Sequence, residues 1–201
     1  MNLQLESNNL VDYLEEFPPY IVYTASPIHQ LIDTIKKENT TVFGQAKLAF
    51  EWVRDQISHS FDSQKPEISI GAIDTLKNAD GICFAKSHLL VSLLRGLGIP
   101  SGFCYQRVLR KGTPDSGFAL HGLVALYLPE NGWFRVDPRG NKTGINAQFV
   151  SEYEQLAYTI RKELGEVDYL KVYVQPLTSV LTAMEHSCNS QELFYKRPTS
   201  I

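Results

Sequence analysis

Asn78-Ala79-Asp80-Gly81-Ile82-Cys83-Phe84-Ala85-Lys86-Ser87-His88-Leu89-Leu90-Val91-Ser92-Leu93-Leu94-Arg95-Gly96-Leu97-Gly98-Ile99-Pro100 is the stretch on which the fold of this chain turns. Asn78 to Gly81 read as a turn. The run after it is apolar nearly all round: Ile82, Phe84, Leu89, Leu90, Val91, Leu93, Leu94 and Leu97. A helix with so little polar face belongs at the centre of a molecule. Gly96, Gly98 and Pro100 supply its stop signal. A buried central helix opening at Cys83 is the expectation.

Working outward, the chain before this helix is helical and the chain after it is not. Asp12 to Glu16 can form one turn, ended by Pro18-Pro19, and Ser26-Pro27 opens a helix through Leu31, Ile32 and Ile35. Between Phe43 and Ile57, the residues Ala46, Ala49, Phe50, Val53 and Ile57 recur at three- and four-residue steps. Ser58–Pro66 is polar, and Ala72–Leu76 reads as a short helix. Beyond Pro100 the period becomes two. Strands are expected at Phe103–Leu109, Leu120–Leu128, Trp133–Asp137 and Leu170–Val174, with a closing helix at Leu177–His186. Pro129-Glu130-Asn131-Gly132 joins the second and third as an antiparallel hairpin. Helices first and an antiparallel sheet afterwards is an α+β order. One domain is expected over 1–201: helical decoration at 1–40, a core at 41–140, and a C-terminal strand and helix at 141–201.

Composition narrows the function classes. The 201 residues are 43% hydrophobic and 11% aromatic, too apolar for a disordered chain. Nineteen Lys and Arg against 22 Asp and Glu leave a net charge of −3, so neither nucleic acid nor an anionic membrane is an expected partner. No apolar stretch approaches the ~20 residues that span a bilayer, and the first residues lack a basic start and apolar signal core. Cys83, Cys104 and Cys188 are too few and too scattered for a disulfide framework or a metal site. A cytoplasmic protein without metal or cofactor is expected. Gly96 to Gly102 has the wrong glycine spacing for a phosphate loop and leaves a helix instead of opening one.

Cys83 stands where chemistry is available. The first turn of a helix carries unpaired N–H groups and a positive dipole end, which stabilise a thiolate and can face a developing oxyanion. A buried structural cysteine would look the same in sequence. A nucleophilic thiol needs a base, and the base needs an orienting group. His88 lies about 140° round the helix from Cys83 and faces away. His29, His59 and His186 read as solvated. His121, polar within Leu120-His121-Gly122-Leu123-Val124, has Asp137 at the end of the partner strand. A two-residue turn at Glu130-Asn131 would pair Asp137 with Val124 and put His121 on the opposite face. The two meet only if the connection is odd-numbered or a strand bulges.

Gly81-Ile82-Cys83-Phe84-Ala85 through Pro100, Leu120-His121-Gly122 and Gly132-Trp133-Phe134-Arg135-Val136-Asp137-Pro138 resemble, in order, the cysteine, histidine and aspartate motifs of the transglutaminase-like superfamily. Phe50 to Ile57 is similar to the helix that precedes the cysteine. Tyr105-Gln106-Arg107 and Asp137 to Lys142 look like segments of its small stand-alone bacterial members. The resemblance implies a papain-like α+β fold with Cys83 as nucleophile, His121 as base and acid, and Asp137 orienting the imidazole. Gly122 after the histidine and Arg139 after Asp137-Pro138 depart from the family pattern, and no segment is similar to the calcium sites of its large animal enzymes.

Five further residues are weaker candidates for contacting substrate: Lys86, Tyr105, Gln106, Trp133 and Arg139. The expected activity is thiol-dependent acyl transfer on an amide or peptide carbonyl, with hydrolysis ahead of glutamine–lysine crosslinking. The substrate would be a peptide, an amide or a small molecule. The rival from another class is a non-catalytic binding domain on the same fold.

Overall fold

The computed structural model describes residues 2–201. Among them, α1 (Ser26–Glu38) places Pro27 in its first turn and buries Ile28, Ile32 and Ile35. Helix α2 (Val42–Gln56) starts where the Thr41 hydroxyl accepts the Gly44 N–H at 3.1 Å, a side-chain cap that satisfies an orphan donor. A single turn, α3 (Ser60–Ser63), and α4 (Ala72–Asn78) lead to α5 (Cys83–Gly96). Every residue of α5 from Cys83 to Arg95 is buried. Helices α1, α2 and α4 lie against one side of α5, and strands β2 (Ser101–Leu109) and β3 (Phe118–Leu128) against the other.

The sheet has five strands. With β1 (Gln4–Leu5), β4 (Gly132–Val136) and β5 (Val167–Tyr173), the order is β1-β5-β2-β3-β4. All neighbours are antiparallel except β1, which pairs in parallel with β5. The face toward α5 carries the main core, with Leu120, Val124, Leu126 and Val136 set against Phe84 and the leucines of α5. The far face carries a smaller cluster of Tyr13, Cys104, Leu123, Ala125 and Val172. Gly122 marks the closest approach of sheet to helix: a Cβ there would meet Phe84 Cδ1 at 2.6 Å.

The hairpin between β3 and β4 sets the side on which Asp137 emerges. Leu128 pairs with Gly132, so three residues, Pro129-Glu130-Asn131, form the connection. Gly132 takes φ 70°, the left-handed conformation that such three-residue loops require of glycine. Val124 pairs with Val136, and the next rung would set Asp137 opposite Leu123. His121 is two residues from Leu123 and shares its face, a diagonal neighbour of Asp137. The odd-numbered connection is the alternative that the molecule adopts.

Three short elements were not expected: β1, α3, and α7 (Ser190–Lys196), which follows α6 (Thr178–Glu185). Neither a two-residue strand nor a single turn leaves a period to read. Helix α7 is capped by Asn189 Oδ1, which accepts the Glu192 N–H at 2.9 Å. It packs on α3, with Phe61 and Phe194 edge to face at 4.8 Å.

Candidate active site

Two strips of backbone hold the N-terminus of α5. The Gly81 N–H donates to Ser58 O at 3.0 Å, and Asp80 accepts the hydroxyls of Ser60 at 2.5 Å and Ser63 at 2.6 Å. This fixes residues 58–60 beside 79–81 and leaves Cys83 at the first helical position, with Ile82 as a cap that offers no side-chain acceptor. The N–H groups of that first turn have no intrahelical partner.

His121 and Asp137 arrive from the sheet. The strand β4 stops at Val136, so β3 before Leu123 has an open edge on that side. The Leu120 N–H on this edge donates to Pro198 O at 2.7 Å, and the Gly122 N–H, two residues on, helps to lower the Cys83 thiol. His121 Nε2 lies 2.7 Å from Asp137 Oδ2, and the ring and the Cys83 thiol shift each other's titration. With Nε2 engaged by the carboxylate, Nδ1 is the nitrogen left for sulfur. Asp137 further accepts the N–H groups of Arg139 at 3.1 Å and Ala157 at 3.0 Å. All three side chains are buried.

These contacts set the protonation states. Burial pushes the Cys83 thiol up, but the His121 charge and hydrogen bond, the Arg197 charge and the Gly122 N–H outweigh it, and the value falls below that of an ordinary thiol. Burial works against charge on His121, yet the Asp137 and Cys83 charges raise it well above an ordinary imidazole. Asp137, despite its burial, is held below the usual carboxylate value by His121 and the two backbone donors. These shifts favour a thiolate–imidazolium pair backed by a carboxylate.

The pair opens on a cavity of about 600 Å³. Its walls include Cys83 and His121, with His59, Arg139, Tyr158 and Arg197 around them. The Arg139 guanidinium forks onto Asp62, with Nη1–Oδ2 at 2.6 Å and Nη2–Oδ1 at 3.1 Å, and its Nε donates to Tyr158 Oη at 3.2 Å. Tyr158 stands edge-on to the His121 ring, centroids 4.8 Å apart. Of the five weaker substrate-contact candidates, Arg139 reaches the cavity wall.

The other four do not line this cavity. Lys86 is fully buried and donates Nζ to the backbone oxygens of Ile57 and Arg54, tying α5 to the end of α2; desolvation takes its pKa down to about 7. Tyr105 lies in the core between Phe84 and Tyr173, its Oη accepting the Leu177 N–H at 3.1 Å. Gln106 is buried on the far face and donates to Asp168 at 3.3 Å. Trp133 packs edge-on to Tyr13 at 4.9 Å on that same face. Tyr105 points into the main core and Gln106 and Trp133 onto the far face, and none of the three reaches the pocket.

His59, expected to be solvated, is instead 8% exposed in the cavity wall. Burial and the cations Arg139, Lys86 and Arg197 press its pKa well below the ordinary value and keep the ring neutral. His88 does face away, its Nδ1 2.6 Å from Ile70 O. Reasoning from the sequence missed His59, Tyr158 and Arg197, which carry no periodicity and lie in or beside irregular segments. Among the described residues there is no cluster of His, Cys, Asp and Glu suited to a metal, and no helix long and apolar enough to cross a membrane.

Comparison with known proteins identifies the family. The model of the transglutaminase-like superfamily matches residues 29–138. No curated protein matches the sequence. Among solved structures, a candidate cysteine protease from Cytophaga hutchinsonii is 20% identical, with a TM-score of 0.49 over 66% of this chain and 43% of its own. The periplasmic domain of TgpA from Pseudomonas aeruginosa is also 20% identical, with a TM-score of 0.44 over 63% of this chain and 45% of its own. This chain thus spans less than half the length of either. The family match covers more than half of the sequence and takes in the cysteine, histidine and aspartate motifs, and the chain belongs to the transglutaminase-like superfamily.

Proposed function

We propose that the protein is a thiol hydrolase of amide or peptide bonds, with Cys83 as nucleophile, His121 as proton carrier and Asp137 holding the imidazole. The observation that carries this reading is one ring, His121, held at Nε2 by Asp137 at 2.7 Å and lining the same cavity wall as Cys83. A buried structural cysteine has no need of that partner. Cys104 is the internal contrast, its thiol pushed up to about 12 by burial with no imidazole to offset it.

The Cys83 thiolate adds to the carbonyl carbon, and the new oxyanion faces the free N–H groups at the start of α5. The His121 imidazolium gives its proton to the leaving nitrogen as the C–N bond breaks, leaving a thioester and neutral imidazole. His121 then takes a proton from water, whose oxygen adds to the thioester carbonyl. Collapse releases the acid, and the proton returns to the Cys83–His121 pair. Asp137 keeps the ring oriented and its charged form stable throughout. The three free thiols support a reducing, cytoplasmic location.

The test follows Cys83 thioester turnover by mass spectrometry on a library of peptide amides, with and without a primary amine. Hydrolysis predicts free acid at a rate indifferent to amine. An amine adduct with accelerated release would instead identify a transglutaminase. Absence of turnover, together with ordinary thiol reactivity at Cys83, would leave a binding domain.

A further inference from the structure

The cavity beside Cys83 is far more cationic than the molecule around it. Arg110, Lys111, Arg139, Lys142, Arg161 and Arg197 all line it, against two carboxylates, Asp62 and Glu166, in a chain of net charge −3. Both carboxylates are already engaged. Asp62 accepts Arg139 and Lys142, and Glu166 accepts Arg161. No carboxylate balances Arg197.

Arg197 is also held in an unusual way. It is 7% exposed, and its guanidinium lies over the rings of Phe61 and Phe194, each centroid 4.9 Å away. Its one hydrogen bond among the described residues is a long one, from Nε to Phe194 O at 3.4 Å. Nη1 and Nη2 have no partner among the described residues. A guanidinium desolvated this far ordinarily has a carboxylate or several acceptors. Arg139, in the same wall, has both. Contact with two aromatic rings holds the group while leaving its forked edge unused, the edge that binds carboxylate or phosphate in two parallel hydrogen bonds.

We infer that Arg197 receives an anionic group of the substrate, a carboxylate or phosphate borne close to the carbonyl that Cys83 attacks. The inference deepens the proposed function and rests on Cys83 being its nucleophile. An anion seated there takes up the unused forked edge, and the cations Arg110 and Lys111 in the same wall extend the attraction outward. Neutral amides would enter the same cavity without that anchor.

Iodoacetate and iodoacetamide test this without knowledge of the natural substrate. In both, the Cys83 thiolate displaces iodide to form an S–C bond, and the reagents differ in the charge beside the reacting carbon. The quantity read is the iodoacetate-to-iodoacetamide rate ratio at Cys83, by mass spectrometry, against the same ratio at exposed Cys188. Because it is a ratio, changes in thiolate fraction cancel. The expected ratio at Cys83 exceeds that at Cys188 by about tenfold, as a charge-assisted hydrogen bond of ordinary strength would give. It falls toward the Cys188 value in Arg197→Gln and is partly kept in Arg197→Lys. Protection of Cys83 by acetate but not inorganic phosphate, at equal ionic strength, assigns a carboxylate; the reverse assigns a phosphate.

Equal ratios at Cys83 and Cys188 in the wild type would overturn the inference even if Arg197→Gln failed to fold. A ratio unchanged in a folded Arg197→Gln would overturn it too, since an arginine serving the thiolate alone slows both reagents alike. Fast iodoacetamide alkylation with no charge preference would leave the proposed function standing. Failure of Cys83 to react with either reagent would remove both.

Discussion

His121 and Asp137 face each other across the open end of the β3–β4 hairpin because three residues, not two, separate Leu128 from Gly132. A strand reverses the side of every residue when its register slips by one. Deleting one residue from the loop would thus carry the carboxylate to the opposite face while leaving the hairpin able to form. The spacing of a surface turn decides whether the imidazole is oriented.

The first prediction concerns the thiolate. In the wild type, Cys83 is lowered by His121 against the pull of burial, so iodoacetamide should label it well below the ordinary thiol value of ~8.5. His121→Ala removes the largest stabilising partner and leaves desolvation unopposed. Labelling at pH 6 should then fall at least about tenfold, a tenfold loss for each unit by which the pKa rises, and recover only in alkaline solution. Asp137→Asn should give a smaller loss of the same sign. The check is the labelling rate from pH 5 to 9, followed at the Cys83 peptide.

The second concerns packing. Gly122→Ala would drive a methyl group to 2.6 Å from Phe84 Cδ1. We expect a loss of roughly 1–3 kcal/mol in urea unfolding, the usual cost of overpacking a filled core. Labelling of Cys83 should slow as well, because the Gly122 N–H that helps to lower its thiol moves with the strand.

The third concerns the buried cation behind the sheet. Arg135 is fully enclosed at its guanidinium and forks onto both Glu154 and Asp168, at 2.7 and 2.8 Å. Arg135→Ala strands two carboxylates, and urea unfolding should show about 3–5 kcal/mol of destabilisation. The thiol labelling profile of whatever fraction stays folded should keep its shape.

The fourth uses Lys86, whose pKa burial lowers to about 7 from 10.5. Between those values the unfolded chain binds the extra proton, so this lysine makes stability rise with pH through that window and adds no slope below it. Lys86→Met abolishes the effect. The difference in unfolding free energy, wild type minus variant, should grow by roughly 1–3 kcal/mol between pH 7 and 9.5. Taking the difference cancels the titration of Cys83 and His121, common to both proteins.

What was legible in the sequence followed from period and from motif order. The apolar run after Gly81 announced the central helix, alternation announced β2 to β4, and the three motifs singled out Cys83, His121 and Asp137. Where the structure differed, the deciding information was long-range. Lys86 looked like a cleft residue because its helix opens there, yet its side chain turns back to the end of α2. Tyr105 and Gln106 lie on opposite faces of one strand, the first against Phe84 and the second against Asp168, and neither side chain reaches the cavity. His59 and Arg197 are placed by contacts with segments far away in sequence, Gly81 and the ring of Phe61 among them. No local pattern encodes such placement.

The early end of β4 has a wider meaning. Two more paired residues beyond Val136 would satisfy the Gly122 amide with a neighbouring carbonyl and wall off the sulfur behind an ordinary ladder. Stopping short leaves an unfinished seam beside the thiol and a doorway for whatever reacts there. An insertion that lengthened this one strand would close the chamber while leaving every motif residue in the sequence.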